Sequence, residues 1–336
     1  MAVGILGIAY HLPDRVETNE DLLRQNPDWL MDRVGDRLGI RSRHIAAPGE
    51  TASDLGFQAA RRLLREAGAK PDEIDYLLFC TQSPDYFLPS AACILQDRLG
   101  LGKHVGALDF NLGCSGYVYG LHLAKCLIAC GQARRVLLIV ADTYSKFIHP
   151  RDRTVRVLFG DGAAATLIGP TDGPGIGEFV LGTDGAGAND LIVPSGGLRQ
   201  PHSSETAREM TDLTGCTRTQ DHLFMDGQAI FDFAMTVVPR NVRALLAKAK
   251  LAAHQVDWYA YHQANQFMLE GLAAESSIPM AKMVLSFEDV GNTVSASIPI
   301  AVQRYVEAGK IRPGHQVMMV GFGVGYSWGA CLVTWG

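Results

Sequence analysis

Arg61-Arg62-Leu63-Leu64-Arg65-Glu66-Ala67, running on to Ile74-Asp75-Tyr76-Leu77-Leu78-Phe79-Cys80, has a counterpart later in the chain: Arg243-Ala244-Leu245-Leu246-Ala247-Lys248-Ala249, then Val256-Asp257-Trp258-Tyr259-Ala260-Tyr261. In both copies Leu, Leu and Ala fall on one helical face, and a short apolar run follows of the kind that forms a strand buried on both sides. The pair predicts a helix running into a strand, twice. Working outward, Gly113-Cys114 opens an apolar helix leading to Val136-Leu137-Leu138-Ile139-Val140, and Gly291-Asn292 opens another leading to Val317-Met318-Met319-Val320. Gly162 to Ile168 and Gly329 to Trp335 then read as matching closing strands. Three matches in the same order predict an α/β chain of two duplicated βαβαβ-type halves. The first half takes in residues 1–170 and the second 222–336. Residues 171–221, rich in Gly, Ser, Thr and Pro, read as a loop-rich insertion that caps a site.

Composition narrows the functional classes. Among 336 residues, 47% are hydrophobic and 19% charged, the balance of a folded enzyme-like globule. Lys plus Arg number 30 against 35 Asp plus Glu, so the basic excess that a nucleic-acid backbone rewards is missing. Apolar runs such as Val136 to Ala141 are too short to span a bilayer, and Met1 to Tyr10 lacks a charged leader and a small-residue cleavage site. Seven cysteines without a C-x-x-C pair predict reduced thiols, a cytoplasmic location and no metal site.

Cys114 lies in Asn111-Leu112-Gly113-Cys114-Ser115-Gly116-Tyr117, after the strand-like Val105 to Phe110 and at the start of a helix expected to reach about Cys130. Unpaired N–H groups at a helix start favour a thiolate, which predicts a lowered pKa and a nucleophile. Cys80, Cys93, Cys126, Cys130 and Cys331 are read as small buried hydrophobes. Of ten histidines, His262 is singled out because it follows the strand Trp258 to Tyr261 at its C-terminal end, where open α/β sheets place their ligands. Asn292 is the repeat mate of Cys114, so pseudo-symmetry aims it at the same crevice from the opposite half. A thiol, an imidazole and an amide so placed suit thioester chemistry, with two neutral donors to hold an enolate oxygen. Gly321-Phe322-Gly323-Val324-Gly325 lacks the G-x-G-x-x-G spacing of a dinucleotide site and reads as a turn offering backbone N–H groups to an oxyanion. Arg151, Arg153 and Arg156 form either a solvated face or a clamp for a phosphate-bearing carrier.

These motifs resemble those of the β-ketoacyl-acyl-carrier-protein synthase III family, condensing enzymes of the thiolase fold, over nearly the whole chain. Cys114-Ser115-Gly116-Tyr117 is similar to the family's nucleophile segment, His262-Gln263-Ala264-Asn265 to its histidine segment and Gly291-Asn292-Thr293 to its asparagine segment; Phe159-Gly160-Asp161-Gly162 and Trp328-Gly329-Ala330 add to the likeness. The resemblance implies a five-layered αβαβα core and a catalytic trio of Cys114, His262 and Asn292. It implies that Cys114 takes an acyl group from acyl-CoA, and that a malonyl or β-keto thioester, on acyl carrier protein or coenzyme A, supplies the nucleophile by decarboxylation. The setting is fatty-acid initiation or a specialised secondary-metabolite pathway, with simple acyl transfer to an alcohol or amine as the alternative; coenzyme A thioesters are substrates and no resident cofactor is implied. Trp29, Arg37, Arg153, Gly227, Gln228, Phe231 and Asn265 match positions that hold coenzyme A, with Arg33 a competitor of Arg37. Val324 matches the oxyanion turn and Phe322 the gate. Where the family carries an entrance arginine, this chain has Phe267. The family implies a homodimer, and the apolar loop Tyr86-Phe87-Leu88-Pro89 is expected to supply Phe87 and Leu88 to an acyl pocket shared between subunits, the alternative being that both fill the core of their own subunit.

Overall fold

The two repeats become two sheets in the structure, a computed structural model that describes residues 2–29 and 37–336. The first half contributes β1 (Ala2–His11), α1 (Ala52–Glu66), β2 (Tyr76–Cys80), α2 (Ala91–Arg98), β3 (Gly106–Phe110), α3 (Gly116–Ala129), β4 (Val136–Asp142) and β5 (Gly162–Thr171). Its five strands lie in the order β1-β5-β4-β2-β3. Strands β4, β2 and β3 are mutually parallel, while β5 runs antiparallel to β4 and β1. The second half contributes β6 (Ile176–Thr183), α4 (Gly227–Ala249), β7 (Trp258–Tyr261), α5 (Gln266–Glu275), α6 (Ser297–Glu307), β8 (Gln316–Gly323) and β9 (Ser327–Thr334), with four strands in the order β7-β8-β9-β6. Tyr76 stands opposite Val136 in one sheet and Trp258 opposite Val317 in the other, the register that the repeat requires. The counterpart of β3 shrinks to a single parallel bridge between Tyr259 and Met283.

Helix α1 starts at a capping box formed by Thr51 and Asp54 and buries Leu55, Ala59, Leu63 and Leu64 against β1, β4 and β5; of the face read from the sequence Leu63 and Leu64 are buried, while Ala67 is the exposed C-cap. Helices α3 and α6 each touch strands of both sheets, so they form the middle layer. That explains why α3, whose one charged side chain is Lys125, is apolar nearly all round: it has neighbours on both sides. Helices α4 and α5 pack on each other, with α4 on the far face of the second sheet. The layers are therefore αβαβα, with hydrophobic clusters filling the spaces between them. Fully burying one Leu such as Leu121 is worth roughly 1.5–3 kcal/mol.

Two sequence expectations need correction. Ile176–Thr183, inside the supposed insertion, pairs with β9 as the edge strand of the second sheet, so that half begins near residue 176 and not at 222. Its Gly-Glu interruptions suit an edge and hide the strand pattern. What remains of the insertion is irregular apart from short pairings such as Leu191–Ile192 with Phe224–Met225, and Leu191 lines the central cavity. Likewise, Cys93, Cys126 and Cys130 are exposed rather than buried, because they fall on the outer flank or at the end of their helices; all seven cysteines are free.

Candidate active site

Cys114 sits in the short turn between β3 and α3, two residues before the first helical residue, and is buried. The end of β8 lies directly on it. A Cβ at Gly323 would meet the Cys114 Cβ and Sγ at 3.0 Å, and one at Gly321 would meet the Cys114 carbonyl oxygen at 2.7 Å. Glycine is what lets the two halves close here. The backbone N–H groups of Cys114 and Val324 both reach the sulfur and pull its pKa down. They do not prevail: burial, then the nearby Asp142 carboxylate, push the thiol up to about 12. The expected lowering at the helix start is thus reversed, since the desolvation of an enclosed thiolate outweighs two N–H dipoles. Asp142 is itself pushed up to about 7 by burial, while Ser295 and the Gln82 N–H donate to it.

His262 follows β7 and its backbone N–H donates to the Val320 carbonyl at 2.7 Å. Its Nδ1 is 2.7 Å from Ser297 Oγ, at the first turn of α6, and its Nε2 is 3.3 Å from Asn292 Nδ2. Burial holds the imidazole down at about 3, so it is neutral at physiological pH. In the tautomer where the Ser297 hydroxyl donates to Nδ1, Nε2–H and the Asn292 amide N–H both face the cavity. The orientation of that amide is set locally: Val294, at the left-handed φ of 53°, donates its N–H to Asn292 Oδ1 at 2.9 Å. A β-branched residue there costs of order 1–3 kcal/mol, a strain characteristic of functional sites. Asn292 is also bridged to Phe159, which places the Phe159-Gly160-Asp161-Gly162 motif beneath it. Phe322 stands edge-on to His262 at 5.6 Å between ring centroids.

Cys114, His262, Asn292, Phe322 and Gly323 all line one cavity of about 340 Å³. A larger surface groove of about 780 Å³, bordered by Arg41, Glu288 and Arg304, contains none of these residues. The thiol can be acylated in an apolar chamber, under two N–H groups, facing two further neutral donors. Among the described residues no cluster of His, Cys, Asp or Glu could hold a metal ion.

Family models described as 3-oxoacyl-[acyl-carrier-protein] synthase III match residues 108–185, and the C-terminal region of the same enzyme matches residues 246–335. The beta-ketoacyl-[acyl-carrier-protein] synthase III of Caldanaerobacter subterraneus subsp. tengcongensis is 36% identical, over 100% of this chain and 98% of that protein. The chain belongs to the synthase III family. It is an acyltransferase of the condensing-enzyme group, on the thiolase-like fold. A crystal structure of a 3-oxoacyl-(acyl-carrier-protein) synthase III superposes with a TM-score of 0.97 at 48% identity, covering 100% of both chains. The priming β-ketosynthase of the R1128 polyketide pathway superposes with a TM-score of 0.86 at 30% identity, covering 99% of this chain and 96% of that one.

Within this synthase III, the positions carried over for coenzyme A divide. Arg37, Gly227, Gln228, Phe231 and Asn265 line the cavity, and Asn265 also caps α5 through the Met268 N–H. Phe267 lines it too, stacked on Phe231 with centroids 5.2 Å apart, and the Arg37 guanidinium lies 4.1 Å above its ring. Trp29, in contrast, is buried in the hydrophobic core and is not among the residues that line the cavity. Arg33 lies outside the described residues. Arg153 reaches the Thr214 carbonyl rather than the cavity, and Arg156 pairs with the buried Glu17, so the three arginines make no common clamp. Phe87 and Leu88 are each 82% exposed and are not among the residues that line the cavity. Ser297, Val294 and Asp142 were not singled out from the sequence. Their roles come from contacts between segments far apart in the chain, which no local pattern announces.

Proposed function

We propose that Cys114 accepts an acyl group from a coenzyme A thioester and that His262 and Asn292 then promote condensation with a malonyl thioester. The convergence of these three side chains from both halves on one apolar cavity carries the reading. In the first step the Cys114 sulfur attacks the thioester carbonyl, the carbon–sulfur bond to coenzyme A breaks, and coenzyme A leaves as its thiol. A group held at about 12 is protonated at neutral pH, so its proton departs as attack proceeds. It passes to the departing coenzyme A sulfur, while His262 keeps its Nε2–H towards the cavity. The Cys114 and Val324 N–H groups hold the oxyanion. In the second step carbon dioxide leaves the malonyl thioester, and the electron pair of the broken carbon–carbon bond forms an enolate. Its oxygen takes hydrogen bonds from His262 Nε2 and Asn292 Nδ2. The enolate carbon attacks the acyl-enzyme, and Cys114 leaves as a thiol after reprotonation.

The mouth formed by Arg37, Phe231, Phe267 and Gln228 suits a pantetheine arm, on coenzyme A or on acyl carrier protein. A homodimer is part of the same proposal. Strand β3 pairs on one side only, Leu108 on it is exposed, and the Phe87-Leu88 loop projects beside that open edge. Seven free cysteines support a reducing, cytoplasmic setting.

Acyl-CoA thioesters of increasing length, read by intact mass and peptide mapping, test the first step, and labelled carbon dioxide release from malonyl thioesters tests the second. Acylation of a cysteine other than Cys114, or product formation without carbon dioxide release, would reject the reading.

A further inference from the structure

Ser115 occupies the N-cap of α3, where a serine hydroxyl ordinarily accepts from an N–H of the first turn. Here it makes no capping bond. Its Oγ lies instead 2.7 Å from Ser327 Oγ on β9, in the other half of the molecule. Ser327 Oγ in turn donates to the Val324 carbonyl at 2.9 Å, so the proton order is settled: Ser115 donates to Ser327, which donates to Val324. Both serines are buried, with exposures of 0% and 2%.

We propose that Ser115 and Ser327 form a hydroxyl latch that positions the Val324 turn over the nucleophile, and so sets the oxyanion site across the two halves. The inference rests on the reading of Cys114 as the acylated residue. The two N–H groups facing the sulfur belong to different halves, Cys114 to the first and Val324 to the second. Their spacing must therefore be maintained by something that spans the junction. The far side of the three-residue turn is well anchored: Tyr326 exchanges backbone hydrogen bonds with Asp184 and stacks on Phe233 with centroids 4.0 Å apart. The near side is Val324, and the latch is what grips its carbonyl. Gly321 and Gly323 pack β8 onto Cys114 and Ser115, and the latch adds a directional bond at the carbonyl of the Val324–Gly325 peptide, the plane next to the one that carries the Val324 N–H. A serine directly after the nucleophile thus forgoes a local cap in favour of a distant one. The latch residues touch no substrate and act through Val324; they are positioning residues.

The experiment uses the full-length protein and whichever of acetyl-, butyryl- or octanoyl-CoA the wild type takes fastest. Single-turnover acylation of Cys114 is followed by rapid quench and intact mass, with the carbonyl stretch of the ¹³C-labelled acyl-enzyme recorded by difference infrared. Ser115→Ala and Ser327→Ala are each expected to slow acylation at saturating thioester by about tenfold, less than the full loss of an oxyanion donor. The concentration giving half-maximal rate should stay within about twofold of wild type, as for an interaction made in the transition state. The double variant should be no slower than either single one, because the chain works as a unit. The carbonyl band should move towards that of a free thioester. Ser327→Thr, which keeps the hydroxyl, should restore rate and band, and it serves as the working comparison if Ser115→Ala does not fold. Wild-type rate and band in the alanine variants, or slowing with an unmoved band, overturns the latch. An adduct on another cysteine in the wild type would sink the acyl-enzyme reading instead, so the two failures are distinguishable.

Discussion

The Cys114 and Asn292 junctions occupy the same place in the two halves, yet they are built to opposite ends. At the first, β3 turns straight into α3, and Cys114 is left two residues before the helix under a pair of N–H groups. At the second, a left-handed Val294 and a short 3-10 turn come between Asn292 and α6. That detour lets the backbone hold the Asn292 oxygen and frees its N–H for the cavity. It also brings Ser297 against His262. Duplication supplies two equivalent mouths, and the local backbone decides which becomes a nucleophile and which a donor. In the proposed mechanism the first junction forms and breaks a covalent bond, while the second stabilises charge on oxygen.

The harshest way to break this comparison is Cys114→Ala, which removes the covalent centre. Acylation should be lost and condensation should fall by at least about a thousandfold, since among the described residues no other thiol or hydroxyl lines the cavity. A variant that still condenses at a few per cent of wild type would mean that the first junction is not the acylation site. Ser297→Ala sharpens the second junction alone. By freeing the tautomer of His262 it should slow carbon dioxide release by about tenfold and leave acylation within about twofold, measured by separate single-turnover assays.

The two junctions should also differ in pH response. Cys114 sits above its ordinary value, so its thiolate fraction grows about tenfold per pH unit with no plateau near 8.5, and iodoacetamide labelling of Cys114, read by peptide mapping apart from the exposed Cys93, Cys126 and Cys130, should track that slope from about pH 6 to 9. His262 sits below its ordinary value, at about 3, so it stays neutral on going from pH 8 down to about 5. Decarboxylation by preacylated protein should therefore be flat across that range, the smallest effect expected. A limb near pH 6.5 that disappears in His262→Ala would show that the imidazole titrates normally.

Much of this site was legible because duplication turns sequence position into spatial position. Once Tyr76–Cys80 and Trp258–Tyr261 are matched, Cys114, Asn292 and His262 must face one crevice, and they do. The elements that escaped notice lack a periodic signal. Ile176–Thr183 is an edge strand broken by Gly and Glu, so its alternation is faint. The left-handed backbone of Val294 violates the preference of its own side chain, and tertiary packing has to impose it. The raised pKa of Cys114 is not legible in the sequence, because a helix start is visible there, whereas enclosure of the sulfur depends on β8 closing over it. Trp29 has the right identity for a ring-stacking role, but it is buried in the core, and burial is not legible from one aromatic residue in the sequence.

Division of labour between the junctions is measured most directly by following both half-reactions in His262→Ala and Asn292→Ala. Each variant is first incubated with the preferred acyl-CoA and its mass shift timed, then given malonyl thioester and its carbon dioxide release timed. Removing one preorganised donor should lower carbon dioxide release by about 10²–10³-fold. In Asn292→Ala, Cys114 should still acylate within a few-fold of the wild-type rate; in His262→Ala acylation should slow by far less than decarboxylation does. Equal losses in both steps, or decarboxylation at the wild-type rate in either variant, would contradict the account.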